Sequence, residues 1–328
     1  MDLVRLDPAA GAEVRETIAA AAARRLGAGE LVVLPTETVY GLAADATNAE
    51  AVARLYAAKG RPAFNPLISH VADRGMAEAH GAFDASASKL AEAFWPGPLT
   101  LVVPRRPGST ICDLVTAGLD TVGLRLPDAP IARDIARLLG SPFAAPSANR
   151  SGRISPTTAE AAIEELGEAV ALVIDAGPCR VGLESTIVAC VGPDPVLLRP
   201  GGISRADIEA VLGRALATPD AHDPGRPQAP GMLASHYAPN ARVRLDAFDV
   251  AAGEALLAFG PHLPDGADTA AVILNLSEAG DLTEAAANLF TCLRRLDASG
   301  AATIAVSPIP DEGLGEAIND RLRRAAVR

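Results

Sequence analysis

Apolar residues recur along the chain at two periods, and stretches of the two alternate. Residues 11–27 are rich in alanine at helical spacing, and the run Leu31, Val32, Val33, Leu34, closed by Pro35, has the length and termination of a buried strand. Helical patterns over 48–59, 86–94 and 129–140 then alternate with strand-like runs at 67–71, 99–103 and 121–126. Such alternation predicts an α/β sheet. After a helical stretch at 157–166, the runs at 171–174, 185–191 and 196–198 follow one another too closely for parallel crossovers, so part of the sheet is expected to be antiparallel. A helix at about 204–214 closes this unit.

Composition changes next. Residues 216–241 are rich in Pro, Gly and polar side chains and have no apolar period, which predicts a linker. Beyond it, runs at 255–259, 271–275 and 303–306 alternate with helical patterns near 281–297 and 313–326, as in a small doubly wound domain. That domain has no GxGxxG turn, which argues against a dinucleotide site. The expected division is therefore 1–215, a linker at 216–241, and 242–328. A length of 328 residues, above what one core usually serves, agrees with two domains.

With 49% hydrophobic and 21% charged residues the chain is globular, and no apolar run approaches the ~20 residues that cross a bilayer. The first residues have neither a signal-peptide nor a transit pattern, so a cytoplasmic location is expected and no membrane partner. A net charge of −11 disfavours strong nucleic-acid binding, although a local basic cleft in an acidic protein still accepts a nucleotide. Cys112, Cys179, Cys190 and Cys292 form no CxxC pair and are expected to be buried thiols. Among 29 basic residues the lysines are Lys59 and Lys89, and a lone lysine where arginine is the default cation hints at a need for a compact point charge.

There is no GxxxxGK[ST] loop, no HExxH and no GxSxG elbow. Instead, polar residues stand just after apolar strands, where open α/β sheets build clefts. Segment 34–42 sets Thr36, Thr38 and Tyr40 before Gly41, a pattern that also suits a capped turn. Lys59, Gly60, Arg61 and Pro62 read as a helix end, which leaves the convergence of Arg61, Asn65 and His70 on one strand unexplained. Residues 95–100 read as a rigid turn into a strand. In 121–126, alternation puts Val122, Leu124 and Leu126 on one face and Thr121, Gly123 and Arg125 on the other. Arg125 is then either a clamp for a carboxylate or phosphate, or an arginine on a solvated face. A run of donors at 145–152, with Ser155 and Thr157, leads to a helix; those two serve either as a cap or in an anion site. Glu184, Ser185 and Thr186 precede a strand, and Arg199 ends another before Gly201 and Gly202, which permit close backbone approach.

In this order, PTETVYGL, KGRP with NPL, WPGPLT, VGLRLP, APSAN, STIV and LRPG resemble the YrdC/Sua5 family across roughly residues 25–205. The segments Pro230, Gly231, Met232 and His236, Tyr237, Ala238, Pro239, the small second domain and the ending 312–326 resemble its two-domain Sua5 form. The resemblance implies a YrdC-like twisted mixed sheet with flanking helices, plus a small C-terminal Rossmann-like α/β domain joined by a Pro/Gly-rich linker. It implies a threonine pocket of Thr36, Thr38, His70, Arg125, Ala145 and Ser185, with Tyr40 close by. It implies an ATP site of Lys59, Arg61, Asn65, Thr121, Ser147, Asn149, Ser155 and Arg199, closed by Tyr237, with His236, as a lid. Lys59 and Arg61 are the implied catalytic side chains, and no metal ligand is assigned.

The implied activity is L-threonylcarbamoyladenylate synthesis from ATP, L-threonine and bicarbonate or CO2, with Mg²⁺ accompanying ATP. The product would pass to the tRNA threonylcarbamoyl transferase complex, which modifies the adenosine next to the anticodon. Such a reaction needs no protein nucleophile; alignment, worth ~7 to 11 kcal/mol, and charge stabilisation suffice. A competing reading is an RNA-binding module of the same fold, against which the net charge stands. Another is a carbamoyl-transfer relative of the hydrogenase-maturation type, whose zinc-binding and acylphosphatase-like segments are not visible in the sequence.

Overall fold

The computed structural model describes residues 1–218 and 236–327; residues 219–235, with Pro230, Gly231, Met232 and most of the expected linker, lie outside the described residues. Among the described residues the strands form two sheets. The first contains β1 (Asp2–Arg5), β2 (Val32–Leu34), β3 (Gly41–Asp45), β4 (Ile68–His70), β5 (Leu99–Pro104), β6 (Thr121–Arg125), β7 (Phe143–Ala144), β8 (Leu172–Asp175), β9 (Thr186–Ala189) and β10 (Val196–Arg199). Its helices are α1 (Ala12–Gly27), α2 (Ala49–Lys59), α3 (Arg74–His80), α4 (Ala85–Phe94), α5 (Asp113–Thr116), α6 (Pro130–Leu139), α7 (Ala159–Leu166) and α8 (Arg205–Leu212). In space the strands run β1-β8-β2-β3-β7-β4-β6-β5-β9-β10.

The sheet is mixed, as expected. Pairs β1/β8, β2/β8, β4/β6 and β5/β9 are parallel. Pairs β2/β3, β3/β7, β4/β7, β5/β6 and β9/β10 are antiparallel. The spacing argument holds for β9 and β10, whereas β8 is carried away to lie between β1 and β2. Both faces of the sheet are covered, which is why β2 is apolar throughout. Val33 packs with Leu42, Leu101 and Leu124 on one face, while Val32 and Leu34 pack with Leu26 and Ile135 beneath α1 and α6 on the other. Each such leucine, fully buried, contributes roughly 1.5 to 3 kcal/mol.

The second sheet contains β11 (Arg242–Arg244), β12 (Ala255–Ala258), β13 (Val272–Asn275) and β14 (Thr303–Val306), all parallel, in the order β11-β14-β12-β13. Helices α9 (Leu282–Asp297) and α10 (Gly315–Ala326) cover the face bearing Leu257, Ile304 and Val306. Loop residues Ala247, Val250 and Ala267 cover the other face. This core does not stop at the domain boundary: Val39, Ile154 and Leu183 of the first unit pack in one cluster with Tyr237, Phe290 and Leu293.

Candidate functional site

Two adjacent parallel strands organise the cleft. The β4–β6 register sets His70 beside Arg125 at their carboxyl ends, so the alternation in 121–126 delivers Arg125 inward while Val122 and Leu124 enter the core. Arg125 is not on a solvated face. Its side chain and that of Glu37 are 4% and 2% exposed, and Nη2 donates to Glu37 Oε1 over 2.6 Å. The Nε donates to the Gly97 carbonyl at 3.4 Å. Glu37 comes from the loop between β2 and β3, where Thr36 and Thr38 share a hydroxyl contact at 2.8 Å and Thr36 Oγ1 donates to the Val39 carbonyl at 2.7 Å. That segment is therefore a tied hairpin loop, in line with the turn reading of 34–42, and it also faces the cleft.

His70 lies flat on Phe143, with ring centroids 5.3 Å apart. Burial, then the charge of Arg125, lowers its imidazole to about 3. A group that stays neutral near pH 7 and is so weakly basic is a poor general base but a good hydrogen-bonding one. Ser185, just before β9, shares a hydroxyl contact with Thr100 at 2.8 Å and receives Arg199 Nη2 at 3.2 Å. Arg199, at the end of β10, also donates to the Ser185 carbonyl through Nε and Nη2, at 3.1 and 2.8 Å. Gly201 makes this approach possible, since a Cβ there would lie 2.3 Å from the Glu184 carbonyl oxygen.

Lys59 and Gly60 do end a helix: Asn48 caps the start of α2 and Gly60 leaves it at φ 59°. Yet Lys59 turns inward. Its Nζ donates to the Ser147 carbonyl at 2.6 Å and to the Asn149 carbonyl, and burial, with Arg61 second, pushes its ammonium well below the ordinary value. Arg61 is held by the Asn65 and Pro66 carbonyls at 3.2 and 2.9 Å. Asn149 spends its amide on the Arg150 and Arg153 carbonyls, at 2.8 and 2.9 Å.

Neither Ser155 nor Thr157 caps α7; Thr158 does. Ser155 Oγ instead donates to Glu184 Oε1 at 2.5 Å, and Thr157 meets Thr291 of α9 at 3.0 Å. Burial alone would raise the Glu184 carboxyl, but Arg321, then Arg199, then the bonds from Ser155 and Arg321 outweigh it and lower it to about 2. His236 and Tyr237 complete the wall. Tyr237 sits at φ 63°, a left-handed conformation that costs a non-glycine residue ~1 to 3 kcal/mol, with its ring stacked on Phe290 at 5.4 Å.

The resulting cleft is lined by Thr38, Arg61, His70, Arg125, Ala145, Ser147, Ser185, Arg199, His236 and Tyr237 among the expected residues. Thr36, Lys59, Asn65, Asn149 and Ser155 stand one hydrogen bond behind a lining residue or its neighbour. Thr121 is the exception. It opens β6, ~13 Å from Arg125 at ordinary strand rise, and extending the β4–β6 register puts it beside Pro66, near Arg61. Glu37 stands at the back wall without having been singled out, and Glu184, read from the sequence only as one of the polar residues before a strand, lines the cleft. Their partners lie 88 and 137 residues away, so no local pattern marks them. Arg61, Arg125, Arg199 and the neighbouring Lys59 face two carboxylates, each already paired with an arginine. Such a cleft suits an amino acid at one end and phosphates at the other.

A family model for the Sua5/YciO/YrdC group, described as "Telomere recombination", matches residues 24–201, and a model described as "Threonylcarbamoyl-AMP synthase, C-terminal domain" matches residues 203–327. The chain is 41% identical over 323 residues to the threonylcarbamoyl-AMP synthase of Bacillus subtilis (strain 168), covering 94% of this chain and 92% of that one. It is 39% identical over 312 residues to that of Pyrococcus abyssi (strain GE5 / Orsay), covering 91% of each. The crystal structure of P. abyssi Sua5 complexed with L-threonine superposes with a TM-score of 0.88 at 35% identity, covering 99% of this chain and 98% of that one.

Proposed function

The chain belongs to the Sua5/YciO/YrdC family in its two-domain form, and from that premise we propose how its cleft works. The protein is an enzyme, a nucleotidyltransferase that forms threonylcarbamoyl-AMP from ATP and L-threonine. In our reading bicarbonate or CO2 supplies the carbamoyl carbon. The threonine amine adds to CO2 and gives up a proton, forming a carbamate; starting from bicarbonate, the same carbamate forms with loss of water. A carbamate oxygen then bonds to the α-phosphorus as the bond to the bridging oxygen breaks, and pyrophosphate leaves with that electron pair.

The residues divide the work. Glu37 and Gly97 take one N–H of Nη2 and the Nε N–H of Arg125, which leaves the Nη1 hydrogens and the second Nη2 hydrogen for the threonine carboxylate. Neutral His70, with Thr36, Thr38, Ala145 and Ser185, holds the rest of the amino acid. Arg61 and Arg199 face the phosphates, and Lys59 holds the 147–149 loop by two of its carbonyls. Asn65, Thr121, Ser147, Asn149 and Ser155 complete the nucleotide end. Mg²⁺ would accompany ATP and neutralise phosphate charge; among the described residues no cluster of His, Cys, Asp or Glu is built to hold a metal, and Glu37 and Glu184 are committed to arginines.

The cleft encloses about 50 Å³, room for a few waters and not for a nucleotide. Tyr237 and His236 therefore act as a lid that withdraws to admit ATP and closes over a carbamate and a mixed anhydride that water destroys. The strained backbone of Tyr237 suits a residue with two positions. On this reading 1–215 carries the chemistry, 216–241 the lid and 242–328 a supporting domain. No described helix is long and apolar enough to cross a membrane, and we place the enzyme in the cytoplasm, where the tRNA threonylcarbamoyl transferase complex takes its product.

The observation that carries this reading is the convergence of His70, Arg125 and Ser185 with Arg61, Ser147 and Arg199 in one cleft beneath Tyr237. The test is pyrophosphate release by the purified protein with MgATP and bicarbonate, with and without threonine. Threonine-dependent release is expected, reduced ~100-fold or more in Lys59→Ala. Release indifferent to threonine would overturn the assignment of the amino-acid end.

A further inference from the structure

We infer that Arg321, on the C-terminal helix α10, is a positioning residue for the nucleotide half of the cleft. The inference rests on the reading above that Ser155, Arg199 and Tyr237 face ATP. Arginine is rarely buried without a partner, and the side chain of Arg321 is 0% exposed. Its Nε donates to Glu184 Oε2 at 2.9 Å, while the other oxygen of Glu184 accepts from Ser155 at 2.5 Å. Its Nη1 donates to the carbonyl of Pro200, next to Arg199, at 2.8 Å, and to Asp320 at 2.8 Å. The guanidinium carbon lies 5.4 Å from the centroid of the Tyr237 ring, within cation–π range. One side chain from the second domain thus reaches Ser155 through Glu184, the backbone beside Arg199, and the ring of the lid.

Charge balance gives this contact a role beyond docking. Glu184 is bonded to Arg321, and its charge also acts on Arg199, whose guanidinium is held by the adjacent Ser185. With Arg321 in place the carboxylate is satisfied from the side away from substrate. Without it, a buried carboxylate draws on Arg199 and competes with the phosphates for that guanidinium. Docking itself has other supports. Arg294 of α9 binds Glu165 at 3.2 Å and the Ile154 carbonyl. Gly182 is pressed against α9, where a Cβ would lie 2.5 Å from Ala287 Cα. The partners described for His70, Arg125 and Glu37, in contrast, all belong to the first domain.

The test compares full-length wild type, Arg321→Met, Arg321→Lys and the pair Arg321→Met with Glu184→Gln, reading KM for ATP, Kd for ATP and threonine by calorimetry, and Tm. Arg321→Met is expected to weaken ATP about 10-fold or more and to leave threonine within two-fold, with partial recovery in Arg321→Lys. The pair, which also removes the carboxylate that would compete for Arg199, is expected to recover Tm and only part of the ATP affinity, because Ser155 and the Tyr237 ring still lack their anchor, and it supplies the measurement if Arg321→Met does not fold. Unchanged ATP affinity, or ATP and threonine affinities falling together, would show a purely structural arginine. A wild type without threonine-dependent pyrophosphate release would sink the assigned activity instead, and the ATP Kd values would still decide the role of Arg321.

Discussion

The two ends of the cleft are held in different ways. His70 and Arg125 occupy neighbouring register positions on paired strands, and Glu37 reaches them from a loop tied by its own threonines. Everything that fixes them belongs to the first domain. At the other end Ser155, Glu184 and Arg199 stand on loops and strand ends, and the partner that locks Glu184 comes from α10. Strand register is a rigid frame because a one-residue slip would reverse every side chain. Loops have no such frame, so their polar side chains need an external anchor. The second domain has a part in the site if it is that anchor.

The largest expected effect separates the two ends from the threonine side. On the proposed reading Arg125→Met removes a charged hydrogen bond to the threonine carboxylate, and it strands Glu37 in the interior. Threonine affinity should fall on the order of 50-fold, and stability by ~3 to 5 kcal/mol. Adding Glu37→Gln should restore most of the stability and none of the threonine binding. Calorimetry and urea denaturation read both quantities. ATP affinity should stay within two-fold, and a matching loss for ATP would break the division into independent ends.

How far the site is legible in the sequence follows the same division. The alternation in 121–126 points Arg125 into the cleft because strand geometry has a fixed period. Its partner Glu37, 88 residues away, leaves no local mark, and neither does Arg321, 137 residues from Glu184. β3 escapes detection because Gly41–Asp45 lacks β-branched residues, and β7 because Phe143–Ala144 is too short to show a period. The open choice between cap and anion site for Ser155 and Thr157 turns on a one-residue matter, since Thr158 takes the capping role. Both hydroxyls are thereby released toward Glu184 and the second domain.

An intermediate effect concerns acid stability. The Glu184 carboxyl is lowered to about 2 from an ordinary value of 4.5, so the folded state holds it ionised more strongly than the unfolded chain does. Stability from this group is complete above pH ~4.5 and is lost as pH falls toward ~2, by on the order of 3 kcal/mol. The advantage of wild type over Glu184→Gln, followed by Tm against pH, should therefore shrink across that window and be constant above it. A constant gap down to pH ~2 would mean that Arg321 does not hold the carboxylate ionised.

The smallest expected effect asks whether reach into the cleft, and not mere contact between domains, is what matters. Arg205 of α8 pairs with Glu316 of α10 at 2.7 Å across the same boundary, but both side chains are about a third exposed, at 33% and 28%. Water and salt screen such a pair, so Arg205→Ala should cost less than ~1 kcal/mol, and most of that cost should vanish in ~0.5 M salt. ATP affinity should not change, because Arg205 touches neither Glu184 nor Tyr237. If Arg205→Ala weakened ATP as much as Arg321→Met does, any loosening of the second domain would disturb the nucleotide end. The contrast drawn above would then be one of domain docking as a whole and not of a single buried arginine.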